Sequence, residues 1–191
     1  MSNGAALTYR NQPYLLGNND NEQGYYALPD YRKNITVTLA EGDSFLLGSF
    51  TCPNQFEADA RRAQNVPVWV YRYFGDWANV RLFPPNPAFA GQVLSDGSGA
   101  YHGAELEMVF GNPSGVSGIA NTKAETQVIA LIQGAWAAFA RSPATGLSWY
   151  GWPKYNPATK SLIRLAYNNS VTPSFVSPSL YFAGCVNATS S

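Results

Sequence analysis

Val66-Pro-Val-Trp-Val-Tyr-Arg-Tyr-Phe-Gly75 (VPVWVYRYFG) is the stretch on which the fold turns. Valine, tryptophan and tyrosine are strand formers. Both alternating faces are apolar, Val68 and Val70 on one and Trp69, Tyr71 and Tyr73 on the other. A strand with one wet face would alternate apolar with polar residues. A strand apolar on both sides belongs inside a parallel sheet, covered above and below. Pro67 has no N–H to give to a ladder, so it must stand at the start of the strand.

Working upstream, Pro13–Asn19 (PYLLGNN) is a short apolar run closed by turn residues, which predicts a second buried strand. Between the two runs the sequence must cross over. Cys52–Gln64 (CPNQFEADARRAQ) predicts the crossover helix. Pro53 suits its first turn, Glu57 and Asp59 precede Arg61 and Arg62 as the helix dipole favours, and Phe56, Ala60 and Ala63 share one face. Residues 34–49 are ambiguous, β-branched at first and then interrupted by glycine, with a helix expected in the second part. Strand, helix, strand makes a βαβ unit whose two strands run parallel.

Downstream, residues 76–101 form a long loop rich in Pro, Gly, Asn and Ser. Loops of that length are uncommon unless they serve a function. A short helix is expected over AELEMVFG, with Glu105 in its first turn, and the clearest helix over 122–141. There Val128, Leu131, Ile132, Ala135, Trp136 and Phe139 follow the helical repeat, and Pro143 and Gly146 close it. Residues 161–169 read as a last edge strand, and the chain after Val171 as irregular, like residues 1–12. No internal repeat or linker divides residues 1–191, which read as a single unit.

Composition narrows the function. With 46% hydrophobic residues among 191, the chain is no disordered tail. It has no apolar run long enough to span a membrane. Net charge is zero, so neither nucleic acid nor an anionic membrane surface is an expected partner. Only 13% of residues are charged, which suits either a surface meant to be covered or a mildly polar secreted protein. The two cysteines, Cys52 and Cys185, form one long-range disulfide or remain two buried thiols. With a single histidine, a zinc site is not expected. Sequons at Asn34, Asn168 and Asn187 mark candidate glycosylation sites, and with few lysines they favour an oxidising, extracellular setting. The opening MSNGAALTYR has no apolar core like that of a signal peptide.

The sole histidine, His102, stands at the far end of the long loop. Chemistry in open α/β sheets collects beyond the carboxyl ends of the strands. Glu22 follows the first strand there, and the loop after the second strand leads to His102. A carboxylate and an imidazole on loops from neighbouring strand ends can meet as the acid and base of a triad. Either residue taken alone is more simply a structural or solvated one.

These segments together resemble the type B carboxylesterases and lipases, the cholinesterase-like branch of the α/β-hydrolases, with the secreted fungal members looking closest. LLGNNDNEQGYY is similar to the family's glutamate segment, FTCPNQFEADARRA to its Cys-Pro helix, VPVWVYRYFGDW to the following strand, and YHGAELEMVFG to its histidine segment. AWAAFARSP and YGWPKYNP resemble its C-terminal helix and Trp-Pro segment. The resemblance implies an α/β fold that is the C-terminal part of an α/β-hydrolase, an incomplete central sheet with flanking helices. It implies catalytic roles for His102 as general base and Glu22 as its orienting acid, room at Gly103 for the turn beside the imidazole, and an acidic position at Glu105. Cys52 lies where some members place a disulfide cysteine, and Cys185 is its only possible partner in the chain. No cofactor and no metal is implied, and the substrate would be a small-molecule ester.

The departures from the family are as informative. Its serine sits in G-x-S-x-G upstream of the glutamate, together with a glycine-rich oxyanion segment. GDSFLLG, GSGAYHG, SGVSG and GLSWYG all fail that spacing. The interval from Glu22 to His102 is somewhat short, with residues 30–50 the loosest part of the match. The expectation is a C-terminal portion carrying the glutamate and histidine without the nucleophile, inactive alone, with a missing N-terminal half as its partner. The alternative is a non-catalytic, cholinesterase-like binding or adhesion module, which need not keep both residues. Sugar binding through Trp77, Trp149 and Trp152 is a third reading, against which core packing explains the same tryptophans.

Overall fold

A computed structural model describes residues 12–187. The stretch before residue 12, expected to lack order, lies outside the described residues. β1 spans Tyr14–Asn19 and β2 spans Val68–Tyr73. They pair in parallel, with Tyr14 opposite Val68 and Asn19 opposite Tyr73, so both strands end on one edge of the sheet. β3, Leu162–Leu165, pairs in parallel on the other side of β2. β4, Ser174–Val176, then adds antiparallel to β3, giving the order β1-β2-β3-β4. Two expectations are corrected here. The strand expected over residues 161–169 is neither that long nor at the edge, and the segment after Val171 is not irregular throughout. Three residues suffice for β4 because its ladder bonds go to a strand already held by β2.

Between β1 and β2 the chain forms α1, Leu39–Leu46, and α2, Cys52–Ala63, joined by a π-helical turn over Leu47–Thr51. Thr38 caps α1: its hydroxyl accepts the Glu41 N–H, and the Glu41 carboxylate accepts the Thr38 N–H. The helix expected in the second part of 34–49 runs on into the one expected over Cys52–Gln64. The rod widens by one turn, with the Cys52 N–H donating to the Leu47 carbonyl five residues back. Pro53, which has no N–H to give, follows directly on that turn. The face of α2 that Phe56, Ala60 and Ala63 share is not the one that meets the sheet. Phe56, Ala60 and Ala63 lie exposed, while Cys52 and Ala58 point inward. Ala58 is small enough to bring the helix close to Leu16, Val68, Val70 and Leu162 of the sheet.

The opposite face of the sheet is covered by α4, Lys123–Arg141, which follows α3, Ala104–Phe110. Val128, Ile129, Ile132 and Ala135 of α4 pack with Trp69, Tyr73, Ile163 and Leu165. β2 is therefore covered on both faces, as its residues require. Gly17 lets β1 lie this close to its neighbour, since a Cβ there would meet the Tyr71 carbonyl oxygen at 2.4 Å and the Tyr71 ring at 2.6 Å.

The loop from Phe74 to Ala100 is pinned at several points. Asp76 binds Arg81 through two hydrogen bonds of 2.6 and 2.5 Å. The Asn169 side chain clasps the Asp76 backbone at 2.9 and 2.8 Å. Phe83 and Phe89 pack on a small cluster of Ala27, Val93 and Leu94. Its far end returns to the strand ends, where the Asn21 N–H donates to the Ala100 carbonyl at 3.0 Å and Asn21 bridges Tyr101. Among the described residues no helix is long and apolar enough to cross a membrane.

Candidate active site

That return brings together the two residues singled out from the sequence. Glu22 follows β1 in the turn that opens the short helix Gln23–Tyr26, and His102 follows the bridge to Asn21. His102 Nδ1 lies 2.6 Å from Glu22 Oε2, across 80 residues of sequence. The other carboxylate oxygen, Oε1, accepts the Asn19 N–H at 2.6 Å. The glutamate is 3% exposed, whereas the histidine side chain is 43% exposed. The pair therefore sits with its acid buried and its base open to solvent.

Gly103 makes the turn that aims the ring. It caps α3 at φ +86°, a left-handed conformation, and its missing Cβ would point toward Leu106 at an ordinary 3.6 Å. The glycine thus serves the backbone conformation more than the space beside the ring. Glu105, in the first turn of α3, does more than complement the helix dipole, because its Oε2 accepts a hydrogen bond from the Asn19 side chain. That same amide donates to the Tyr101 carbonyl at 2.7 Å.

Burial pushes the Glu22 carboxyl up from its usual range. The Asn19 N–H and the His102 contact pull against that, and the Glu105 carboxylate adds to it. Glu105 also helps raise the phenols of Tyr71, Tyr73 and Tyr101, behind the burial of each ring. A buried carboxylate on Nδ1 selects the tautomer that carries its proton there, which leaves Nε2 bare. Among the described residues, nothing hydrogen-bonds to Nε2. The ring is flanked by aromatic residues, with centroids at 5.2 Å for Tyr26, 5.4 Å for Phe50 and 6.2 Å for Tyr25. Phe45 packs against both Tyr26 and Phe50, tilted to the first and edge-on to the second.

Sequence reasoning missed Asn19 and Phe50. Asn19 reads as an ordinary turn residue, and Phe50 reaches the ring only because the π turn carries it there. The other candidates fall elsewhere. Cys52 and Cys185 are joined in a disulfide, with a Cα–Cα distance of 5.3 Å and both residues buried. Asn34 and Asn168 are exposed in left-handed turns at φ 57° and 52°, and the Asn187 sequon runs beyond the described residues. Trp77 and Trp152 belong to the main core while Trp149 is 85% exposed, so these three do not make one binding face. Among the described residues, no three His, Cys, Asp or Glu side chains gather as a metal site.

The chain is similar to known proteins over most of its length. The chain is 29% identical over 187 residues to Secreted lipase 5 of Gibberella zeae, covering 92% of this chain and 31% of the lipase. It is 31% identical over 180 residues to the para-nitrobenzyl esterase of Bacillus subtilis, covering 80% and 34%. A chlorogenic acid esterase of Aspergillus niger is 27% identical over 63% of this chain and 24% of its own. The chain thus spans about a third or less of the length of the curated relatives it matches. Among solved structures, a PNB esterase matches with a TM-score of 0.57 at 23% identity, over 85% of this chain and 36% of that one. A second matches at 0.55, with the same identity, over 85% and 35%. The four-stranded mixed sheet with its flanking helices is accordingly part of an α/β-hydrolase fold. The model of the carboxylesterase family matches residues 18–182. Because that match takes in the end of β1, all of β2 and the loop and helix around His102, the chain belongs to the carboxylesterase family.

Proposed function

We propose that this chain supplies the acid–base half of an ester-hydrolysing site. His102 is the general base that takes the proton of a serine hydroxyl and returns it to the leaving alcohol. Glu22 holds the ring and stabilises it while it is charged. The observation that carries the reading is the 2.6 Å contact of a buried carboxylate with the Nδ1 of a half-exposed histidine whose Nε2 is free. An adhesion module would need neither residue, let alone their contact. The matched relatives are named for a lipase, a para-nitrobenzyl esterase and a chlorogenic acid esterase, so what they share is the ester bond rather than one alcohol or acyl group.

The nucleophile and the oxyanion donors come from outside residues 12–187. Among the described residues no serine hydroxyl hydrogen-bonds to the His102 ring. The whole chain acts as one unit with that missing part. The buried disulfide supports an oxidising, extracellular setting, in which Asn34 and Asn168 would be the exposed acceptors for glycans.

Two measurements test the reading. The chain alone, given p-nitrophenyl esters and a fluorophosphonate probe, is expected to show neither hydrolysis nor labelling. A labelled serine in this chain overturns the assignment of the nucleophile. The Bacillus subtilis esterase carrying residues 12–187 in place of its own matching third is expected to hydrolyse p-nitrophenyl esters, and His102→Ala within it to lose activity by about 10³-fold or more. A folded chimera that His102→Ala leaves active refutes the role of the histidine.

A further inference from the structure

We propose that Asn19 is a positioning residue that sets Glu22 and His102 against each other by holding both loops at once. The proposal rests on reading those two residues as an acid–base pair. Asn19 ends β1 and is fully buried. Its backbone N–H occupies Glu22 Oε1 at 2.6 Å, which leaves Oε2 to meet His102 Nδ1. Its side-chain NH₂ reaches the other loop, donating to the Tyr101 carbonyl at 2.7 Å and to Glu105 Oε2. Tyr101 precedes the histidine and Glu105 follows it by three residues. One amide therefore clasps the chain on both sides of His102, across 82 and 86 residues of sequence.

The cost of this arrangement shows what it is for. Asn19 Oδ1 is buried without a hydrogen-bond partner. A leucine of similar size would fill the same space and leave no orphaned oxygen, so filling space does not account for the amide. Aspartate cannot substitute either. It would present acceptors to a carbonyl and a carboxylate that need donors, and would add a third anion beside Glu22 and Glu105. Only an uncharged donor of this length satisfies both partners while its own backbone serves the glutamate.

The test uses the full chain, whose single histidine makes the ring signal unambiguous. In ¹⁵N-labelled protein, at a pH where the ring is neutral, two-bond ¹H–¹⁵N correlations read which nitrogen carries the proton. The parent is expected to hold it on Nδ1, facing Glu22. Glu22→Ala is expected to return the ring to the Nε2–H form that free imidazole side chains prefer. Asn19→Leu is expected to move the tautomer ratio toward Nε2–H by about three- to tenfold, the ratio that loss of one net hydrogen bond corresponds to. Asn19→Ser gives the same readout should the leucine variant fail to fold. A role in stability alone would shift the urea midpoint of the Asn19 variants without moving the tautomer of the folded population. If Glu22→Ala changes the ratio and the folded Asn19 variants do not, the positioning role is refuted and the pair stands. If Glu22→Ala changes nothing, the pair itself is refuted.

Discussion

Removing the disulfide should cost this chain a large share of its stability. The bond joins Cys52, at the head of α2, to Cys185, in the 3₁₀ turn Ala183–Asn187, over a sequence separation of 133 residues. Both ends are 1% exposed. Cutting it frees the unfolded chain from closing a loop of that length, which in the chain-entropy account is about 5 kcal/mol at 25 °C. In a domain of this size each kcal/mol moves the melting temperature by about 2–4 °C, so the expected loss is about 10–20 °C. The other anchors of the described C-terminal segment are few: Phe182 is buried beside Tyr155 and Leu162, Tyr181 packs on the same cluster beneath Arg72, and Gly184 lies against Leu47. The assay compares the parent with the double variant Cys52→Ala, Cys185→Ala by calorimetry and urea unfolding without reductant. Alanine is preferred to serine because it buries no new hydroxyl. A double variant that melts within about 2 °C of the parent would mean a stabilisation under about 1 kcal/mol and would refute the loop-closure reasoning.

Glu22 should make the chain less stable as pH rises. Its folded proton affinity is raised by burial, so its stabilising contribution is complete below the ordinary glutamate range and is lost as pH climbs through the raised value. Glu22→Gln should flatten that part of a urea-midpoint-against-pH profile; a parent whose stability rises across this window through Glu22 contradicts the sign. Ile132→Ala, at a fully buried position under Trp69 and Ile163, should cost about 2–5 kcal/mol in urea unfolding. A cost near zero would mean α4 is not seated on the sheet. Gly103→Ala meets no clash, so its cost should be the left-handed backbone alone, about 1–2 kcal/mol. A larger loss would point to a contact the geometry does not contain.

The parts of the fold legible in the sequence are those where one periodicity excludes the other. Val68–Tyr73 is apolar on both faces and can only be an interior strand, and Val128, Ile132 and Ala135 can share a face only on a helix. β4 was illegible because Ser174, Phe175 and Val176 stand between prolines in a polar tail, and their pairing is a property of β3. On α2 the small Ala58 faces the sheet while the larger Phe56 faces out, an inversion that only the closeness of helix to sheet explains. At the candidate site, Glu22 and His102 were legible because parallel strands must end together and because the segments around them resemble a known family. Asn19 could not be singled out, since its role lies in donors directed at a loop 82 residues away.

The π turn at Leu47–Thr51 sets a rule for what this segment can tolerate. Each residue of a regular helix advances the face by about 100°. Dropping one residue here would let the rod relax to even pitch, but it would swing either Phe50 off the imidazole or Cys52 away from its sulfur partner, since both are fixed on opposite sides of the same turn. Spelling changes within these five positions should be forgiven more readily than a lost or gained codon. The segment behaves as a length gauge, holding the aromatic wall and the covalent staple in phase.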